Sequence, residues 1–126
     1  ILRNNEVIGI LDWELSTLGH PIADFSYHCL SWRTQEAFWD EAKLKELGIP
    51  SEKEYMEMYC KYSGKDLSKN WEFYMAFNMF KIAGILQGIL GRVRDGTAAS
   101  KHAEERGNMV FPLSQAAWET IEDNFL

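Results

Sequence analysis

Two carboxylates flank a tryptophan at Asp12-Trp13-Glu14, directly after the mainly apolar run of residues 7–11. A short apolar run of this kind predicts a buried strand. Because an ionised carboxylate is costly to bury without a partner, we expect Asp12 and Glu14 at the end of that strand, within reach of a cation or ligand. Mg²⁺ takes one or two carboxylates together with phosphate oxygens and water. The residues alone leave two interpretations open: metal ligands, or structural caps of a turn.

A third carboxylate, Asp24, follows twelve residues after Asp12, in the first turn of a helix predicted over residues 22–33. A carboxylate in the first turn suits the helix dipole, which is a sufficient structural explanation for Asp24. His20 lies between Gly19 and Pro21, which are turn formers, so it is interpreted as a turn residue rather than a catalyst.

Other side chains allow two explanations or none. Three aromatic residues at or after the end of the first predicted helix have two interpretations, as the lining of a substrate pocket or as packing in the core or a lid: Trp32, Phe38 and Trp39. His28 and His102 have no partners at metal-ligand spacing and receive no role.

The elements that must position these residues begin with a β-hairpin. Ile1-Leu2 ends one strand, the Asn4-Asn5 pair tolerates the left-handed conformations of a tight turn, and residues 7–11 return. Helical patterns follow. A short helix or ordered loop is predicted over residues 34–48, a capped helix over 52–62, a long helix over 69–94, a short polar helix over 98–106, and a last amphipathic helix over 108–126.

Local residue types support the predicted helix ends. Ser51 and Glu54 form a capping-box pattern, Gly64 follows the end of that helix, and Ser68 is the predicted cap of the long helix. The long helix carries an apolar stripe, with Asn78 on it as a structural polar contact. Its glycines predict either close packing of another element or a bend: Gly84, Gly88 and Gly91. The stripe itself comprises Trp71, Tyr74, Met75, Asn78, Ile82, Ile85, Leu86, Ile89 and Val93.

Composition restricts the function classes. The 126 residues are 46% hydrophobic, which argues against disorder and is enough for one domain with a core. The formal net charge of −6 is unlike that of a general nucleic-acid binder. Cys29 and Cys60 are expected as free thiols in a reducing, cytoplasmic compartment. No apolar run of the length of a membrane span is apparent, so no membrane partner is expected.

The segment V-I-G-I-L-D-W-E-L-S-T-L-G-H-P-I-A-D-F resembles the metal-binding segment of aminoglycoside phosphotransferase and choline kinase-like enzymes. In that family a hydrophobic strand ends in Asp-Trp or Asp-Phe, and a Gly-Asp-Pro turn and a helical Asp follow. Here His20 replaces the Asp of that turn. This departure, and segments near residues 49–64, 87–89 and 92–96, are similar to a subgroup related to the kinase-like domain that is fused in animals to an acyl-CoA dehydrogenase.

The resemblance implies roles for three residues. Asp12 would bind the Mg²⁺ that bridges the phosphates of ATP, and so contact the nucleotide through the metal. Glu14 would contribute to the same metal site or orient its waters. Asp24 would support the catalytic loop from behind.

The family's catalytic loop, His-Gly-Asp followed by four residues and Asn, does not occur in this sequence, nor do the glycine-rich nucleotide loop and its lysine. The resemblance therefore implies that residues 1–126 are a single domain. It would be the mainly α, C-terminal helical part of a protein-kinase-like large lobe with a short N-terminal hairpin, and the rest of the kinase domain would lie upstream. We expect no catalytic base here and no kinase activity from this part alone.

The expected function is part of an ATP-dependent phosphotransferase acting on the hydroxyl of a small molecule. The subgroup implies a hydroxyacyl-CoA or hydroxy acid as substrate, and an acyl-CoA dehydrogenase domain or protein as a possible partner. The alternatives are an aminoglycoside- or choline-type kinase, a non-catalytic kinase-like binding or scaffold module, and a free-standing helical interaction domain in which Asp12 only caps a turn.

Overall fold

The computed structural model describes residues 1–34, 41–67 and 69–126. It is mainly α-helical with a short N-terminal β-hairpin, which confirms the predicted fold class. The strands are β1 (Leu2–Arg3) and β2 (Glu6–Val7), and 3-10 turns cover Trp13–Leu15 and Leu30–Trp32. The helices are α1 (Pro21–Cys29), α2 (Glu41–Glu46), α3 (Glu52–Ser63), α4 (Trp71–Arg94), α5 (Ala103–Gly107) and α6 (Val110–Phe125).

The hairpin forms where the asparagine pair predicts it. Strand β1 pairs antiparallel with β2, with Leu2 opposite Val7. Asn4 and Asn5 both have positive φ, at 50° and 63°, as the two central residues of a tight hairpin turn require. The N–H of Ile8 donates to the carbonyl of Ile1 over 3.0 Å, which extends the pairing beyond the strands by one hydrogen bond.

The prediction of a buried strand over residues 7–11 is wrong for this chain. Strand β2 ends at Val7, and the large apolar side chains that follow are exposed, with Ile10 at 66% and Leu11 at 69%. The apolar pattern correctly indicates surface suited to burial, but no described element of the chain packs over it. A two-stranded sheet has too little neighbouring structure to bury its own faces.

Helix α1 is shorter than predicted because the chain tightens into the 3-10 turn Leu30–Trp32 after Cys29. Its buried side chains face α4 and include Phe25 and Cys29. The ring of Phe25 stacks on that of Tyr59 of α3 with centroids 3.8 Å apart. Helix α1 is therefore a core element held between α3 and α4.

Helix α2 lies within the region predicted as a short helix or loop and is followed by Gly48 at φ 69°. Helix α3 begins with the predicted capping box, in which Ser51 Oγ accepts from the N–H of Glu54 and the Glu54 carboxylate accepts from the N–H of Ser51. Gly64 ends it at φ 67°. The side of α3 that packs on the core comprises Tyr55, Met56, Tyr59 and Cys60, whereas Met58 and Tyr62 are exposed.

Helix α4 supplies the centre of the core and packs against α1, α5 and α6. It begins at Trp71, after Asn70 at φ 62°, and not at residue 69; the predicted cap Ser68 lies outside the described residues, as do Phe38 and Trp39. Of the predicted stripe, Ile85 is 50% exposed. The buried residues of α4 are Trp71, Met75, Ala76, Asn78, Met79 and Ala83.

The glycines of α4 do not mark close packing. A Cβ built on Gly84, Gly88 or Gly91 meets no atom within 4 Å. The glycine that does permit a close approach is Gly107 in α5, where a Cβ would lie 2.2 Å from Cδ2 of Leu90. Helix α5 thus packs against α4 through a glycine backbone, and it covers Ala103–Gly107 rather than the longer predicted segment.

By length and composition, α4 meets the requirement for a membrane-crossing helix, which the sequence analysis did not anticipate. The observation is weak evidence for a membrane span, because the core helix of a globular protein passes the same test. In this structure α4 contributes Met75, Asn78 and Met79 to the core.

Candidate functional site

Asp12 lies at the junction between the hairpin segment and the helical part of the chain. Its backbone is left-handed, with φ 71° and ψ 42°, and the 3-10 turn Trp13–Leu15 begins directly after it. A left-handed conformation is uncommon outside glycine, and Asp is one of the residues that adopt it most readily. The sequence therefore turns sharply at the residue predicted to bind a metal.

Two hydrogen bonds hold the turn around Asp12. The indole Nε1 of Trp13 donates to the carbonyl of Ile10 over 2.8 Å, and the N–H of Ser16 donates to the carbonyl of Trp13 over 2.9 Å. Because these bonds span the residues on both sides of Asp12, they fix the backbone from which its carboxylate projects. The tryptophan of Asp-Trp-Glu thus has a local structural role, although its side chain is 64% exposed.

The carboxylates of Asp12 and Glu14 are both exposed. Within the described ranges, neither makes an ion pair or a side-chain hydrogen bond, so both are available to a cation. No cluster of three or more His, Cys, Asp or Glu side chains suitable for a metal occurs among the described residues. The two carboxylates fit the one or two protein ligands that Mg²⁺ takes when phosphates and water complete its shell. Their role as metal ligands stays a prediction.

Asp24 is exposed in the first turn of α1 and lines a large cavity of about 1050 Å³. It makes no ion pair or side-chain hydrogen bond with another described residue. The carboxylate therefore suits the helix dipole and is also open to a neighbouring loop. Support of a catalytic loop by Asp24 stays a prediction.

His20 precedes α1 in an extended conformation, and its ring stacks on Tyr74 of α4 with centroids 5.0 Å apart. The side chain is thus accounted for by packing at a turn. His28 lines the large cavity, and its ring lies 5.5 Å from that of Tyr55. Trp32 stacks on Tyr55 at 5.2 Å and donates through Nε1 to the carbonyl of Pro50 over 3.1 Å, which supports the packing explanation for it.

The large cavity itself, of about 1050 Å³, was not predicted. One wall is aromatic, from Phe25, Tyr55 and Tyr59, and the polar groups at its edge include Asp24 and Arg106. These residues are widely separated in the sequence, so no local pattern brings them together. A cavity of this size with mixed apolar and charged walls can hold either a small ligand or another segment of polypeptide.

An ion-pair cluster around Arg33 was also not predicted. Its Nε donates to both carboxylate oxygens of Glu52 over 3.0 and 2.9 Å, and its Nη1 and Nη2 bind the carboxylate of Glu72. The indole of Trp71 donates to Glu52 over 3.0 Å. Burial lowers the pKa of Arg33, but its hydrogen bonds to Glu72 and Glu52 outweigh that effect and raise the pKa overall. The cluster ties the end of the α1 region to α3 and α4, which is a structural role.

Comparison with known proteins agrees with this geometry. Residues 1–59, which contain the hairpin, Asp12, Glu14 and Asp24, match the phosphotransferase enzyme family. The crystal structure of a candidate aminoglycoside phosphotransferase from Ralstonia eutropha JMP134 is 46% identical and superposes with a TM-score of 0.81. That similarity covers 94% of this chain. The chain is thus similar in sequence and in fold to kinase-like phosphotransferases, as the resemblance implied.

The chain is also similar to acyl-CoA dehydrogenase family members. Member 10 from mouse is 41% identical over 119 residues, covering 90% of this chain. Human member 11 is 35% identical over 123 residues, covering 94%. The resemblance to the acyl-CoA dehydrogenase-linked subgroup is therefore confirmed. The chain spans 11% and 16% of the lengths of these two relatives, and 37% of the Ralstonia protein.

Proposed function

We propose that this chain is the helical C-terminal part of an ATP-dependent phosphotransferase, and that it supplies Asp12 to the Mg²⁺ site of the intact enzyme. The observation that carries the proposal is the exposed carboxylate of Asp12, which has no ion-pair partner in the described part of the chain. It is held on a left-handed residue inside the segment that matches the phosphotransferase family. Glu14, one residue beyond in the same turn, either shares the metal or orients its waters. Asp24 supports the catalytic loop of the intact enzyme.

In the proposed reaction, the metal ligand and the catalytic base come from different parts of the intact enzyme. When bound, Mg²⁺ neutralises the charge that develops on the transferring phosphoryl group. Asp12 contributes a hard anionic oxygen from a backbone held by the Trp13 and Ser16 hydrogen bonds. The base that accepts the proton of the substrate hydroxyl is supplied by the remainder of the kinase domain, so the 126 residues alone are inactive.

The exposed apolar side chains after the hairpin support the proposal that other polypeptide of the intact protein covers them. Ile10 and Leu11 directly precede Asp12 and are largely exposed. Burying them against the remainder of the same kinase domain would remove apolar surface from water and shield the metal site. The proposal thus treats residues 1–126 as one structural domain, completed by the rest of the kinase domain. The relatives are long enough to contain that further polypeptide.

The acceptor that we propose is the hydroxyl of a small molecule, either a hydroxyacyl-CoA or a hydroxy acid. Similarity to the acyl-CoA dehydrogenase family members supports this choice and a partnership with an acyl-CoA dehydrogenase domain. Similarity to the Ralstonia protein supports the second candidate, an aminoglycoside-type kinase. The proposal includes a cytoplasmic location and no nucleic-acid partner.

The test compares Asp12→Asn with Glu6→Gln in the intact protein. Asn tolerates a left-handed backbone, so Asp12→Asn removes the charge without straining the turn. Glu6→Gln removes the same charge from an exposed hairpin position. We expect Asp12→Asn to weaken binding of Mg²⁺·ATP at least about tenfold, since even residues that only orient metal ligands cost 10–100-fold. Binding of ATP in EDTA should not change.

Calorimetric titration of each variant measures this difference, with matching melting temperatures as the control for folding. Equal Mg²⁺·ATP affinities for the wild type and both variants would remove Asp12 from the metal site. An intact protein that binds no Mg²⁺·ATP would instead favour the helical interaction domain. Phosphoryl transfer assayed on hydroxyacyl-CoA, hydroxy acid, aminoglycoside and choline acceptors then separates the substrate classes. Nucleotide binding without any transfer would favour the scaffold module.

A further inference from the structure

A second cavity lies where α4 ends and the chain returns through α5. It has a volume of about 450 Å³, and we call it the basic pocket. Its walls combine residues from the last turns of α4, the loop of residues 95–102, and α5. The residues that matter to the argument are Ile89, Arg92, Thr97, Ala98, His102 and Arg106.

The charges around the basic pocket are unlike those of the chain as a whole. The chain carries a formal net charge of −6, yet the described lining contains Arg92, Arg106 and His102 and no acidic side chain. Arg92 has no ion pair with any residue in the described part of the chain. His102 Nδ1 lies 3.3 Å from a carboxylate oxygen of Glu105, which is not part of the lining. A guanidinium group with no ion pair among the described residues, beside a cavity whose lining has no acidic side chain, favours an anionic ligand.

The dipole of α4 does not explain this arrangement by itself. Basic residues in the last turn of a helix are favourable, and both Arg92 and Arg94 occupy that turn. The dipole accounts for both residues equally, whereas only Arg92 lines the basic pocket, and Arg106 reaches it from a different helix. Arg94 therefore provides a control with the same charge, the same helix and similar exposure.

The loop that closes the basic pocket is held in place by its own hydrogen bonds. The N–H of Thr97 donates to the carbonyl of Arg92 over 2.9 Å, next to Gly96 at φ 69°. The N–H of His102 donates to Ser100 Oγ over 3.2 Å. The first bond joins the loop to α4, and a further bond, from the N–H of Ala103 to the carbonyl of Ser100 over 3.1 Å, joins it to α5. The pocket is thus formed before a ligand arrives, which lowers the entropic cost of binding.

Between the charged groups the walls are apolar, from Ile89 and three alanines, Ala98, Ala99 and Ala103. The volume falls in the range of small-ligand sites. We propose that the basic pocket binds the phosphate group of a small organic molecule, with Arg92 on the phosphate oxygens and the alanine wall against the neutral part. The proposal is independent of the metal role of Asp12.

The test measures binding of inorganic pyrophosphate to the intact protein in EDTA, so that no metal-dependent site contributes. We expect saturable binding that Arg92→Gln weakens at least about tenfold, since charge-assisted hydrogen bonds to phosphate are lost. Arg92→Lys, which keeps the charge but not the planar fork, should fall between the two. Arg94→Gln should stay within about twofold of the wild type. Equal effects of Arg92→Gln and Arg94→Gln, or no saturable binding, would overturn the proposal.

Two further titrations identify the source of the phosphate. If Arg92→Gln also weakens Mg²⁺·ATP binding, the basic pocket holds phosphates of the nucleotide. If it weakens glycerol 3-phosphate binding and leaves Mg²⁺·ATP unchanged, the pocket holds a phosphate on a different ligand. Either result supports the pocket, and weakening of neither ligand overturns it. Because these side chains are exposed, unchanged melting temperatures are expected and serve as the folding control.

Discussion

Asn78 Nδ2 donates a hydrogen bond to Ser26 Oγ over 2.8 Å, deep between α4 and α1. The same nitrogen donates to the carbonyl of Ala23 over 2.9 Å, so both of its protons are used. Asn78 is 1% exposed and Ser26 fully buried. The pair therefore joins the helix at the centre of the core to the helix that carries Asp24, through polar contacts within apolar surroundings.

Replacing Asn78 by alanine should lower the free energy of unfolding by about 2–3 kcal/mol, from two lost hydrogen bonds and the space left behind. Gln87→Ala, on the exposed side of the same helix, should stay within about 0.5 kcal/mol. Chemical denaturation of the intact protein measures both. Equal stabilities of the two variants would show that the Asn78 contacts contribute nothing net.

The glycines of the helical region should respond in opposite directions. Gly84→Ala should raise the free energy of unfolding by roughly 0.5–1 kcal/mol, because the new methyl group meets open space and the helix gains propensity. Gly107→Ala should lower it by about 1–3 kcal/mol, since its Cβ would lie 2.4 Å from Leu90 Cγ.

Leu90→Ala provides the control for the Gly107 prediction. In a Leu90→Ala background the new methyl group has room, so Gly107→Ala should cost less there than in the wild type. Thermal and denaturant melts of the four proteins complete the cycle. A Gly107→Ala cost that is the same in both backgrounds would contradict the close approach of α5 to α4.

The partly buried Arg33 cluster should contribute more to the free energy of unfolding than an exposed ion pair does. Arg33→Ala leaves Glu52 and Glu72 without their shared cation and should lower the free energy of unfolding by about 1–3 kcal/mol. The figure is held below that for a fully buried pair because these side chains are 20–29% exposed.

Lys43→Ala is the matched control, because Lys43 pairs with Glu46 on an exposed surface and should change stability by no more than about 0.5 kcal/mol. Arg33→Lys keeps the charge but cannot bind two carboxylates with one planar group, so an intermediate loss is expected. Denaturant melts rank the three variants. A loss for Arg33→Ala no greater than that for Lys43→Ala would assign the cluster no net stabilising role.

The two cysteines should differ in reactivity. Cys29 is fully buried, and burial raises its pKa to about 12, with a further contribution from Glu52 and an opposing one from Arg33. Cys60 is only half-buried, and both thiols are free. Iodoacetamide on the native intact protein, read by peptide mass spectrometry, should label Cys60 before Cys29. Labelling of Cys29 first would contradict its buried position.

The raised pKa of Cys29 also predicts alkaline destabilisation. Above pH 9 the unfolded chain releases the thiol proton, whereas the folded chain keeps it until about pH 12. The unfolded state then binds fewer protons, so stability falls as pH rises between these values. Cys29→Ala should lose less stability over that range than the wild type. An identical alkaline slope for both would exclude Cys29 as its source.

Local sequence signals predicted much of the fold. The Asn4-Asn5 turn, the Ser51–Glu54 capping box and the Gly64 helix end depend on residues a few positions apart, and all are present. The structural role of Asn78 was predicted from its place on an apolar stripe and is confirmed by its contacts. Helix ends set by tertiary packing, such as the end of α1 at Cys29, were placed less well.

Features that depend on distant residues escaped prediction. The partners of Arg33 lie 19 and 39 residues away, and the cavity walls come from several helices. Gly84 has open space beside it because no described element packs there. The periodicity of apolar residues in the sequence cannot reveal that. For the site, the sequence predicted Asp12 at the end of a strand that instead ends at Val7, and its metal binding rests on the experiment proposed above.

Because α4 is packed unevenly, the backbone hydrogen bonds at its two ends should open at different rates. All of its buried residues fall between Trp71 and Ala83, whereas Gly84, Gly88 and Gly91 follow with open space beside them. Each glycine lowers the stability of the helical conformation by roughly 1 kcal/mol relative to alanine. Backbone amides of residues 84–94 should therefore exchange with solvent deuterium well before those of residues 75–83, through local opening that leaves the core intact. A ligand in the basic pocket would slow that exchange, because it would bridge the opening end of α4 to α5.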